Sequence, residues 1–112
     1  MARGKALDDE ILTDSTYYIP LALAKPNHGY GVMQDIEFFS KGTVVIGPAS
    51  LYTILKKLQN AELIKLVADE ERRKTYGLTP KGKNILQKDI QRRKMMVEHG
   101  LRVLKQLEAG GE

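Results

Sequence analysis

The last third of the chain carries an uninterrupted helical pattern, and this feature limits what the chain can fold into. Thr79 is a good N-cap and Pro80 suits the first helical position, so the pattern predicts a helix over residues 80–107. Its apolar stripe contains Ile90, Val97, Leu101 and Leu104. A helix of this length exceeds what a small domain can cover, so we expect the stripe to meet a second copy of the chain.

The composition indicates one intracellular unit. A chain of 112 residues has room for one modest core. The absence of cysteine excludes disulfides, thiolate metal sites and cysteine nucleophiles. No segment approaches the ~18 apolar residues of a membrane helix, and Asp8, Asp9 and Glu10 stand where a signal peptide needs an apolar stretch. We therefore expect a cytoplasmic protein.

The charge is distributed unevenly along the chain. Residues 1–46 carry four Lys and Arg against six Asp and Glu, whereas residues 47–112 carry fourteen against eight. Basic surfaces suit polyanions, because each phosphate contact releases condensed counterions. The second half therefore favours a nucleic-acid partner, although a merely solvated basic surface would have the same composition.

Three helices are expected before the long one. The first covers residues 14–24 and contains Pro20, which should remove one backbone bond and kink it. The second covers residues 30–40. The third begins at Pro48 after Gly47, and its apolar stripe contains Leu51, Ile54, Leu55 and Leu58.

A β-hairpin is expected between the third helix and the long one. Ile64, Leu66 and Ala68 alternate with more polar residues, which is strand periodicity blurred only by Val67. A polar turn is expected over residues 69–72, and a second strand over residues 73–78. The fold class is therefore mainly α-helical with a small β-hairpin.

This order of elements is the layout of a winged helix-turn-helix. In that fold the third helix enters the major groove, and the hairpin, or wing, reaches a neighbouring groove or the backbone. The exposed face of the third helix offers hydroxyls, an aromatic ring and cations, and three cations cluster at the wing tip. The residues expected to contact DNA are Tyr30, Ser50, Tyr52, Thr53, Lys56, Lys57, Arg72, Arg73 and Lys74.

Four motifs in this order resemble the PadR-like transcriptional regulators. They are Leu-Thr-Asp-Ser-Thr-Tyr-Tyr-Ile at residues 12–19, His-Gly-Tyr-Gly at 28–31, Gly-Pro-Ala-Ser-Leu-Tyr at 47–52 and Arg-Arg-Lys-Thr-Tyr-Gly-Leu-Thr-Pro-Lys-Gly at 72–82. The resemblance covers about residues 12–107, and the single last helix is similar to the short subfamily. It implies a DNA-binding part over residues 1–79, with an N-terminal arm, and a dimerisation helix and tail over residues 80–112.

The resemblance also implies a function. It predicts a homodimer joined through its first and last helices that binds a pseudo-palindromic operator and represses transcription. Many relatives release DNA when a phenolic or drug-like effector binds. The chain departs from the family pattern at Pro20 and Thr75, and it has no tryptophan to stack a flat drug.

An effector pocket and a dimer core compete as interpretations of the same residues. Methionine adapts to irregular ligands, so Tyr17, Met95 and Met96 are the candidates for an effector site, and packing between subunits is the alternative. An alternative for the whole protein is a winged-helix module that binds another protein and does not read DNA. We expect no enzyme, cofactor or metal site, because the sequence contains no phosphate loop, metal-ligand cluster or catalytic arrangement.

Overall fold

The computed structural model describes residues 12–110 and has the expected mainly helical fold with a wing and a long last helix. The acidic segment at residues 8–10 lies outside the described residues. The elements in order are α1 (Asp14–Ala22), β1 (Asn27–His28), α2 (Gly29–Phe39), α3 (Pro48–Asn60), β2 (Ile64–Glu70), β3 (Arg73–Leu78) and α4 (Pro80–Ala109).

Helix α1 runs through its internal proline. The Thr13 hydroxyl caps the helix by accepting a hydrogen bond from the Thr16 N–H at 3.2 Å. Pro20 is buried in the helix, which ends at Ala22, two residues earlier than expected. There the Leu23 N–H donates to the Ile19 and Pro20 carbonyls, so these two carbonyls of the last turn have a hydrogen-bond partner within the chain's own helix end.

The core lies where α1, α2 and α3 meet the start of the hairpin. Leu51, Leu55 and Leu58 of α3 are fully buried, as the apolar stripe predicted, and Ile54 is half-buried against them. Fully buried partners from the other elements include Ile19, Leu23, Val32, Ile36, Leu63 and Ile64. The opposite face of α3 is exposed to solvent.

The sheet has three strands rather than the two expected from the sequence. The strand order is β1-β3-β2 and both pairings are antiparallel. Strand β1 has only two residues, and Asn27 pairs with Tyr76 of β3. The expected four-residue turn was too long, because β2 continues to Glu70 and leaves only Glu71 and Arg72 between the strands.

An irregularity in β2 explains the blurred sequence pattern. The register with β3 shifts between Leu66 and Ala68, so Val67 is the extra residue of a bulge. Leu66 is 37% exposed rather than buried beside Ile64. Bulges raise local twist, and this one lies in the strand that leads to the wing tip.

Helix α4 packs against the rest of the chain over its first ten residues and has no buried residue beyond them. The Thr79 hydroxyl caps it by accepting from the Gly82 N–H at 2.9 Å. Its buried residues are Gly82, Ile85, Leu86 and Asp89. We call residues 12–89 the head and residues 90–109 the arm, because no residue of the arm is buried in the single chain.

Candidate nucleic-acid interface

The exposed face of α3 is built by the same periodicity that buries its apolar stripe. With Leu51, Leu55 and Leu58 turned inward, the intervening side chains point outward. The Thr53 hydroxyl donates to the Ala49 carbonyl at 3.0 Å and keeps its acceptor lone pairs for a further partner. All five residues predicted on this helix are exposed: Ser50, Tyr52, Thr53, Lys56 and Lys57.

A cleft of about 510 Å³ lies beside this face, between the start of α2, the exposed face of α3 and the wing tip. Five of the predicted residues line it: Tyr30, Tyr52, Arg72, Arg73 and Lys74. Four further lining residues were not predicted: His28, Gly29, Glu71 and Tyr76. Ser50, Thr53, Lys56 and Lys57 do not line the cleft, so the predicted residues form a cleft and an adjoining helix face.

The cleft depends on a close approach between α2 and α3. The Tyr52 phenol lies directly over Gly29, and a Cβ at that position would overlap the Tyr52 hydroxyl. Gly29 thus permits the contact that holds Tyr52 across the mouth of the cleft. Tyr52 remains 50% exposed, so its ring still offers a surface to a partner.

The floor of the cleft is a phenol that stays neutral. Tyr76 is 7% exposed, and burial, with the nearby Tyr52 and Asp69, raises the pKa of Tyr76 above its ordinary value. Its hydroxyl therefore keeps its proton at physiological pH and can donate to an anion. Tyr76 was missed because its side-chain direction depends on the register of β3, which the bulge alters.

The wing tip combines cations and acids on paired strands. Arg73 pairs with Glu70 and Lys74 with Asp69 across the hairpin. Within residues 12–110, however, the ion pairs all involve Asp89 or Asp14, and none engages a wing cation. Arg72, Arg73 and Lys74 are exposed and line the cleft. Long cationic side chains in such a place can meet phosphates.

The arm exposes a broad apolar surface. The four predicted interface residues lie on it, from Ile90 at 37% exposed to Val97 and Leu101 at 60%. Further exposed apolar side chains on the arm are Met95, Met96, Val103 and Leu107. A patch of this extent on a helix without a covering element is characteristic of an association surface.

Two of the three candidate effector residues lie at the junction of head and arm. The Arg93 guanidinium carbon stands 4.2 Å from the centre of the Tyr17 ring, and the Arg92 guanidinium donates to the Met96 sulfur at 3.2 Å. An open groove on the arm is lined by Met96 with Val97 and Leu101, but not by Met95. Tyr17 and Met96 are therefore near the same arginine pair, and Met95 is 66% exposed.

The described residues contain neither a metal-binding cluster nor a membrane-spanning helix. Within residues 12–110, no three His, Cys, Asp or Glu side chains are grouped so that they could bind a metal ion. Over the same residues, no helix combines the length and hydropathy needed to cross a membrane.

Comparison with known proteins identifies similar chains. The model of the transcriptional regulator PadR-like family matches residues 20–88. A solved PadR-like transcription factor from Bacteroides fragilis is 26% identical with a TM-score of 0.67, over 80% of this chain and 88% of that one. A PadR family transcription regulator from Clostridium difficile shares the fold, at 23% identity and a TM-score of 0.68, over 80% of this chain and 96% of that one.

One relative is much longer than this chain. An uncharacterized 37.1 kDa protein in transposon Tn4556 of Streptomyces fradiae is 32% identical over 77 residues. The match includes 68% of this chain but only 22% of that protein, so the chain spans about a fifth of its length.

Proposed function

Because this chain belongs to the PadR-like family of transcriptional regulators, we propose that it is a homodimeric repressor that binds a specific operator and leaves it when an effector binds. Membership of the family implies DNA-binding regulation. Repression, dimerisation and release by an effector go beyond what family membership implies and are part of our proposal. The observation that carries the proposal is the cationic cleft beside the exposed face of α3.

In this proposal α3 reads base edges and the cleft binds the sugar-phosphate backbone. Hydroxyls and lysines on α3 suit the donors and acceptors of the major groove. The phenols of Tyr30, Tyr52 and Tyr76 and the wing cations line the cleft, where a phosphate would meet several donors at once. The DNA-contacting set is Tyr30, Ser50, Tyr52, Thr53, Lys56, Lys57, Arg72, Arg73 and Lys74.

The dimer in this proposal forms through the arm. Covering its apolar stripe with the same stripe of a second chain buries surface that the head leaves exposed. A twofold dimer presents two copies of α3, which suits half-sites about one helical turn apart on the DNA. The interface residues are Ile90, Val97, Leu101 and Leu104.

The effector in this proposal is a small aromatic compound that binds near Tyr17, Met95 and Met96. The junction of head and arm is a suitable place, because a ligand there can favour one angle between the two DNA-binding heads. Calorimetry with a panel of aromatic compounds, followed by operator titration, tests this part. A compound that binds without changing operator affinity would argue against release.

The proposal predicts different effects for lysines on the head and on the arm. Lys56→Ala on α3 and Lys74→Ala on the wing should each weaken binding to the duplex upstream of the protein's own gene. Lys74→Ala should also reduce the salt slope by about one, because it removes a phosphate contact. The measurement is fluorescence anisotropy of labelled duplex over a salt series, with a scrambled duplex alongside.

Lys105→Ala is the matched control, because Lys105 is an exposed lysine of the arm. It should leave both the affinity and the salt slope at the wild-type values. Equal loss in all three variants would indicate nonspecific attraction to the whole basic chain. A wild-type protein without specific binding would favour the protein-interaction module instead.

A further inference from the structure

A buried carboxylate marks the place where α4 leaves the head. The Asp89 side chain is completely buried, and it is the last buried residue of α4. Its Oδ2 accepts from Arg93 Nε at 2.6 Å, and its Oδ1 accepts from Arg92 Nη2 at 2.8 Å. Oδ1 also accepts from the Leu12 N–H at 3.5 Å. The carboxylate therefore connects the arm's base to the chain segment that enters α1.

Arg93 uses its whole guanidinium group to join the same two parts. Besides the Nε bond to Asp89, Nη1 donates to the Asp14 carboxylate and Nη2 to the Leu12 carbonyl, both at 2.9 Å. The planar group also covers the Tyr17 ring. One side chain thus contacts three hydrogen-bond acceptors and one aromatic ring, and these lie on α4, on α1 and in the segment just before α1. We call Leu12, Asp14, Asp89 and Arg93 the clasp.

Arg92 provides a contrast within the same helix. It also bonds Asp89, but its other contact is the sulfur of Met96, so its contacts remain inside α4. Arg92 neutralises the carboxylate without connecting the arm to α1. Of the two arginines, Arg93 is therefore the one that joins the arm to the start of α1.

The clasp lies near the base of a long helix, so a small rotation there moves the far end of the arm by a large distance. The helix rises by sixteen steps from Arg93 to Ala109, which is about 24 Å. A rotation of about 10° at the clasp would move the arm's end by about 4 Å, which exceeds the ~3.4 Å between successive base pairs. A small change at Arg93 is therefore large enough to alter the placement of two heads on DNA.

We propose that the clasp fixes the angle between head and arm, and that Arg93 thereby determines which half-site spacing the dimer accepts. Arg93 is a positioning residue, because it acts through the arm and not through contact with DNA. The part concerning half-sites rests on the proposed function, whereas the part concerning the angle does not.

The angle is measured without DNA by spin-label distances. The chain has no native cysteine, so labels attach only at Glu71→Cys on the wing and Arg102→Cys on the arm. Dilution with unlabelled protein restricts double electron–electron resonance to distances within one chain. We expect a narrow distribution in the otherwise wild-type protein. Arg93→Lys, which keeps the charge but cannot reach three acceptors, should shift or broaden it by more than its original width.

Two further variants separate the clasp from general stability. Arg92→Gln should keep the narrow distribution, because Arg92 makes no contact with α1. Asp14→Asn removes the charge of one acceptor and thereby weakens its bond to Arg93. Because the Asp14 side chain is 83% exposed, the fold should persist while the distribution broadens in part. Unchanged distributions in Arg93→Lys and Asp14→Asn would overturn the proposal, even if thermal stability falls.

The consequence for DNA is measured on duplexes that differ only in half-site spacing. Wild-type protein and Arg92→Gln should prefer one spacing by about tenfold, a usual size for coupling between sites. Arg93→Lys should lose this preference while its affinity for a single half-site stays the same. Retained preference would overturn the spacing part. If wild type binds no duplex specifically, the proposed function fails, and the distances still decide whether the clasp sets the angle.

Discussion

At the scale of single residues, predictability follows the distance along the chain between a residue and its partners. Thr79 was identified as a cap because its partner, the Gly82 N–H, is three residues away. Asp89 was missed although Arg92 and Arg93 are only three and four residues away, since it is one of several charged residues on a long helix. Its place against the start of α1 involves Leu12, which is 77 residues distant. A sequence pattern cannot indicate which carboxylate of such a helix will be buried.

The burial of Asp89 predicts a dependence of stability on pH. Burial alone would raise the pKa of Asp89, but hydrogen bonds from Arg93, Arg92 and Leu12 outweigh it and hold that pKa below the ordinary value. The stabilisation of the folded protein by ionised Asp89 is therefore complete above the ordinary aspartate pKa of about 3.9. It is lost as the pH falls towards the pKa of Asp89 in the folded state. Asp89→Asn should cost about 1.5–3 kcal/mol at pH 7.

Urea unfolding from pH 7 to pH 3 checks this prediction. The difference in unfolding free energy between wild type and Asp89→Asn should shrink as the pH falls below about 4. Asp14→Asn is the control, because its exposed ion pair should contribute less than about 1 kcal/mol. A constant difference across the whole pH range would show that Asp89 acts through its shape and not through its charge.

At the scale of elements, the helix starts at Pro48 and Pro80 and the strand over residues 73–78 were predicted from local signals, whereas β1 and the end of β2 were not. Pro48 and Pro80 began their helices as expected. Strand β1 was missed because two residues carry no periodicity, and its partner Tyr76 comes much later in the chain. The wing turn was shorter than predicted because pairing with Arg73 extends β2 through Glu70, which polarity alone does not reveal.

The crossing of α4 over the start of the hairpin predicts a position that accepts only glycine. A Cβ at Gly82 would overlap the Leu63 carbonyl oxygen, and that backbone is tied down because the Thr79 hydroxyl donates to the Glu62 carbonyl at 2.6 Å. Gly82→Ala should therefore destabilise the protein by about 1–3 kcal/mol through overpacking, despite the higher helix propensity of alanine.

Thermal and urea unfolding measure the effect against a neighbouring substitution. Lys83→Ala changes an exposed side chain one residue away and should alter the unfolding free energy by no more than about 0.5 kcal/mol. If Gly82→Ala proved as stable as Lys83→Ala, α4 would have to cross the hairpin less closely than the structure indicates.

At the scale of the whole molecule, the free arm dominates the shape. The radius of gyration is 16.7 Å, whereas a compact chain of this length would have about 13 Å. The long helix and its apolar stripe were predicted from the heptad spacing. Its direction relative to the head was not, because the clasp depends on contacts between distant parts of the chain.

The measurement that tests the proposed function most directly is selection of bound duplexes from a random-sequence library by the purified protein. Two reading helices on a twofold dimer require an inverted repeat whose half-sites are centred about one helical turn apart. Leu104→Asp, which places a charge in the apolar stripe of the arm, should select only single half-sites.

We predict that wild type enriches such an inverted repeat and binds it at least ~10³-fold more tightly than unselected duplex. Enrichment of no sequence, at salt concentrations that suppress nonspecific binding, would contradict the proposed function.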